Sequence, residues 1–169
     1  MKNFKLLLVA AALFIGATSF VNAQATVAHI DTQALVEAMP EMKAAQSQLE
    51  KLQKTYDAEI KSMMQEWQAK MTQYEGEATT KTDAENEKRA IEVQGMQKNI
   101  GDYRNQALED LRKKEVDLLQ PILEKARAAI QKVARAQGMQ YVLDSASGNG
   151  VILADGKDLL ADVKKELGI

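Results

Sequence analysis

One histidine and no cysteine make a thin stock for catalysis. Disulfides and thiolate metal sites are both impossible. His29 sits in a β-rich stretch, TVAHID at 26–31, where it reads as a structural histidine. The 24 Asp and Glu residues could supply acid–base pairs, but they precede cations at helix spacing: Glu50–Lys54, Asp57–Lys61, Glu66–Lys70 and Glu85–Arg89. Acid before base at i,i+4 steadies an exposed helix by about 0.2–0.5 kcal/mol per pair. That pattern describes solvated helix faces, not two carboxylates in a cleft. The Ser/Gly/Asn run at 145–150 is turn chemistry, and no phosphate-cradling glycine loop is present. These residues predict no enzyme, no cofactor and no metal.

Methionine carries more. Seven Met follow residue 23, and six of them, at 39, 42, 63, 64, 71 and 96, lie in or beside long helical stretches. Thioether side chains are flexible and polarizable, so Met-rich surfaces repack against varied partners. With the nearby aromatics they form one group: Met63, Met64, Trp67, Met71, Tyr74, Met96, Ile100 and Tyr103. Two roles fit it: an adaptable surface for a partner, or packing between two helices. Both hold if the centre packs and the flanks stay open.

The elements that must position these residues can be read from pattern. Lys2 and Lys5, an apolar run from Leu6 to Phe20 and Val21-Asn22-Ala23 read as a signal peptide over 1–23. The remaining 146 residues have a net charge of −4, keep five aromatics and lose every Phe, a poor recipe for a large compact core. No further run approaches the roughly 20 apolar residues of a membrane span, and this charge disfavours non-specific nucleic-acid binding. Neither stable membrane insertion nor a nucleic-acid partner is therefore expected.

After a strand over 26–31 and a helix over 32–39, Pro40 interrupts. Residues 41–79 contain no Pro and are rich in helix formers. A turn follows at 79–82, placing a hairpin tip near 76–82. Thr82-Asp83-Ala84-Glu85 fits a capping box opening a second helix, which Gly138 ends near Gln137. Strands are expected at 139–143 and 151–154, and Asp158 should cap a last helix ending at Gly168.

Both long helices carry an apolar stripe. Leu49, Leu52, Tyr56, Ile60, Met63, Trp67, Met71 and Tyr74 step 3-4-4, an 11-residue repeat that favours nearly straight pairing over a strict heptad coil. Val93, Met96, Ile100, Tyr103, Ala107 and Leu111 answer them, and past Leu108 the apolar face widens. Between Glu75 and Ala90 there is no Val, Ile, Leu, Met or aromatic residue. Helices of about 50 residues make an arm of roughly 70 Å, too long to fold back on a small body. The body, 24–40 with 138–169, has 49 residues, marginal alone, so it needs partners. Gly95, Gly101 and Pro121 interrupt an otherwise regular second helix and read as points of arm flexibility.

Ala28-His29-Ile30-Asp31, Leu35 and Pro40-Glu41, with the closing runs 138–144 and 158–163 around a long hairpin, resemble the Skp/OmpH family of periplasmic chaperones across 24–169. The resemblance implies a mostly α fold with a small β body, built jointly by a homotrimer. From that body the antiparallel helical hairpin arms at 41–137 project. It implies an ATP-independent holdase of the periplasm that binds unfolded outer-membrane β-barrel proteins. The alternative is a structural, scaffolding coiled-coil protein of the envelope. The Met/aromatic group then becomes a candidate client surface. One departure stands out: the best-known members have basic arm tips, whereas residues 75–92 here hold three basic and six acidic residues. Long-range attraction of acidic clients should be correspondingly weaker.

Overall fold

The computed structural model describes residues 25–169; the expected signal peptide lies outside the described residues. Strand β1 (Val27–Ile30) is the centre of a small parallel sheet. It pairs on one side with β2 (Tyr141–Asp144), Val27 opposite Tyr141, and on the other with β3 (Lys157–Asp158), His29 opposite Asp158. The pleat sorts its side chains. Ala28 and Ile30 are buried, while Val27, Tyr141 and Leu143 face outward on the other side.

Helix α1 (Thr32–Ala38) opens on Asp31, whose carboxylate accepts from the Ala34 amide at 2.8 Å. Met39 is extended and buried, as the residue before a proline must leave the helical region. Pro40 then occupies the first turn of α2 (Pro40–Glu77), where its missing N–H costs nothing. A short 3-10 turn over Ala78–Thr80 leads to α3 (Asp83–Ala136). The capping box forms as read: the Glu85 amide donates to Thr82 Oγ1, and the Thr82 amide donates to Glu85 Oε2. At 38 and 54 residues the two helices measure about 57 and about 81 Å. Helix α3 runs unbroken through Pro121.

Gly138 ends α3 with φ of 71°. The Met139 amide reaches the Ala134 carbonyl at 2.9 Å and the Gly138 amide reaches Arg135 at 3.1 Å, the paired bonds of a Schellman motif. The same closure recurs at Gly168, after α4 (Leu160–Leu167). Asp158 does accept the Leu160 amide, at 2.8 Å, although Leu159, not Asp158, is the N-cap residue of the helix.

One expected strand is absent. Residues 151–154 form no ladder, and Ile152 and Leu153 are 100% and 76% exposed. Both edges of β1 are already taken, by β2 and β3, so a single chain offers this segment no inner edge to join.

The core joins the body to the arm base. Ile30, Leu35, Met39, Leu159 and Val163 pack with Ile122, Ala126, Ala129, Val133 and Ala134 of α3 and Ala45 of α2. Among the described residues no aromatic takes part; alanines let the helices approach closely. The last turns of α3 therefore belong to the body's core, not only to the arm.

Candidate functional site

The Met/aromatic group lies where α2 and α3 run side by side. Met63, Trp67, Met71 and Tyr74 of α2 are half-buried, as are Met96 and Tyr103 of α3. Ile100 is only 7% exposed and packs inside the hairpin. Tyr56 and Tyr103 meet edge to face, with ring centroids 6.0 Å apart. The hydroxyls reach outward, Tyr56 to Asp110 at 3.2 Å and Tyr103 to Glu59. Desolvation between the helices pushes the Tyr56 phenol above its ordinary value, and the Asp110 carboxylate adds to the shift. The stripe is thus largely interhelical packing, with each half-buried side chain showing one flank.

Met64 differs. It stands 44% exposed beside the stripe, and its sulfur accepts from Arg104 Nη2 at 3.0 Å. With Asp57, Ile60, Lys61, Gln65 and Gln68 it lines a shallow groove of about 440 Å³ along α2. Of the eight residues singled out from sequence, this is the one most available to a partner. Gly95 and Gly101 are both helical, and a Cβ at either would meet nothing within 4 Å.

Other apolar surface escaped that list. Leu108, Val116 and Leu123 lie exposed on α3, and Val27, Tyr141 and Leu143 on the outer sheet face. The widening of the α3 stripe past Leu108 was the available signal, since a face broader than one partner helix must meet something else. A larger groove of about 790 Å³ lies between α1, α3 and β2, lined by Ile30, Val36, Met42, Ile130 and Val142. Two of the four expected i,i+4 ion pairs are redirected. Glu50 and Lys54 do pair, at 2.6 Å. Lys70 instead crosses to Glu92 and Arg89 crosses to Glu77, each at 2.5 Å, because both acceptors face the partner helix near the tip. Among the described residues, no group of three or more His, Asp or Glu is placed to hold a metal, and no helix is long and apolar enough to cross a membrane.

Comparison with known proteins agrees with this architecture. The chaperone protein Skp of Pectobacterium atrosepticum is 24% identical over 156 residues, covering 92% of this chain and 93% of its own. The chaperone protein Skp of Yersinia enterocolitica is 26% identical over the same length and coverage. A crystal structure from Caulobacter crescentus CB15, described as an OmpH-like outer membrane chaperone, shares the fold with a TM-score of 0.76 at 19% identity, covering 86% of this chain and 85% of that one. The family model "Outer membrane protein (OmpH-like)" matches residues 26–167. With its long hairpin on a small parallel sheet, the chain belongs to the Skp/OmpH family.

Proposed function

We propose that this protein is an ATP-independent holdase that binds unfolded outer-membrane β-barrel proteins in the periplasm and keeps them from aggregating. The observation that carries the reading is the open apolar surface. A hairpin arm of about 57 Å, with Met64, Leu108, Val116 and Leu123 in solvent, suits many weak contacts to an extended chain rather than one specific dock. Whole-length similarity to two proteins named chaperone protein Skp supports it. Within the arm we assign first contact to Met64 and to the open flanks of Met63, Trp67, Met71, Tyr74, Met96 and Tyr103; Ile100 supports them from inside.

The reading includes export and assembly. The segment 1–23 acts as a cleaved signal peptide, and three chains share one body, covering Val27, Tyr141 and Leu143. Gly95, Gly101 and Pro121 give the arms their give.

A urea-unfolded outer-membrane β-barrel protein diluted with the mature chain, without ATP, tests this by light scattering. Suppression near one trimer per client is expected. Unchanged scattering, with the protein folded and oligomeric, overturns the holdase reading and favours an envelope scaffold.

A further inference from the structure

The hairpin tip poses a packing problem. The stripe that zips the inner arm ends at Tyr74, and the next large apolar residue on the return, Ile91, is 63% exposed. Burial of apolar surface therefore has little to act on between them. Yet α2 and α3 run to the same turn, and the contacts crossing between them here are polar. Lys70 donates to Glu92 at 2.5 Å. The Tyr74 hydroxyl donates to the second Glu92 oxygen at 2.6 Å and accepts from Lys70 at 3.0 Å. Arg89 donates to Glu77 at 2.5 Å while its guanidinium lies 4.5 Å from the centroid of the Tyr74 ring. Tyr74 thus links both ion pairs, one through its hydroxyl and one through its ring. Asn86 closes the turn by donating to the Ala78 carbonyl at 2.9 Å.

One group opposes this arrangement: Arg89 Nη1 is buried with no hydrogen-bond partner among the described residues. A buried, unpaired donor favours any opening that lets water reach it. Closure rests on two partly exposed ion pairs, so screening by salt weakens it. Farther in, Met63, Trp67 and Met96 are half-buried in the stripe and hold by a force that salt does not screen.

We propose that Lys70, Tyr74, Glu77, Arg89 and Glu92 form an ionic clasp that holds the arm tip shut, and that competing charge, from salt or from a bound chain, releases it. The arm then has two zones: an inner one zipped by apolar burial and an outer one latched by charge. Release frays the tip without unfolding the arm.

Hydrogen–deuterium exchange on the full mature protein tests this, from about 0.02 M to about 0.5 M NaCl. Amides of 70–92 should exchange about two- to fivefold faster in the higher salt, while those of 45–63 stay unchanged. Glu92→Gln should show the faster exchange already at low salt and respond little to more. The exchanged pair Lys70→Glu with Glu92→Lys should restore slow exchange and the salt response. A parent tip indifferent to salt, a Glu92→Gln protein exchanging like the parent, or a swapped pair that fails to rescue would each overturn the clasp. None of these outcomes depends on whether the protein holds clients.

Discussion

Among the described residues, Asp144 accepts more hydrogen bonds than any other side chain. Its carboxylate accepts from the Thr32 hydroxyl at 2.6 Å and amide at 3.2 Å, from the Ala146 amide at 3.0 Å and from Asn149 at 2.5 Å. One group thereby fastens the end of β2 to the start of α1 and shapes the 145–150 turn. Partial burial pushes the carboxyl up, but the hydrogen bonds from Thr32, Ala146 and Asn149 together outweigh it and hold it below the usual 3.8. A carboxyl lowered by folding contributes stability that is complete above its unfolded value and fades as pH falls through the folded one. Asp144→Ala should therefore cost about 1–3 kcal/mol near neutral pH. The gap to the parent should narrow in acid, below the ordinary carboxylate range, as thermal melts across pH would reveal. Its partner network was not legible in the sequence, because Thr32 and Asp144 stand 112 positions apart and only the parallel register joins them.

At the scale of elements, the helices were nearly all readable, because their signals are local: Pro40 at a first turn, the Thr82/Glu85 box, and Gly138 and Gly168 at the ends. The strands were harder. A four-residue strand is defined by the edge it finds, and 151–154 finds none within one chain. The candidate surface was half legible. The stripe's spacing located it, but spacing alone could not tell that Ile100 would be enclosed while Met64 stayed open. Lys70 and Arg89 show the same limit, for each had a good local acid and chose one across the hairpin. The glycines of α3 allow a clean test of arm stiffness. Gly95→Ala and Gly101→Ala add a methyl that touches nothing, so each should stabilise the helix by up to about 1 kcal/mol in urea titrations. If arm flexibility widens the range of clients held, the double variant should protect fewer kinds of unfolded protein from aggregation than the parent does.

For the whole molecule, charge and apolar surface are distributed unevenly. The body carries three basic and seven acidic residues, the arm tip is acidic, and the hairpin as a whole balances at 17 of each sign. The outer sheet face leaves Val27, Tyr141 and Leu143 in solvent, so an assembly covering that face should be sensitive to charge placed there. Leu143→Lys should shift the mature protein toward monomer in sedimentation velocity while leaving its helical circular dichroism intact; an unchanged oligomer would remove this face from the interface. The sheet has a further consequence, in time rather than space. Its central strand is the first of the described elements, yet β2 and β3 lie more than a hundred residues later. A chain emerging from its amino end can close the long hairpin early, through contacts between neighbours in sequence. The strand that will sit in the middle must wait, unpaired, until residues 141–158 have arrived, and the loop that it then closes has the whole arm for its length.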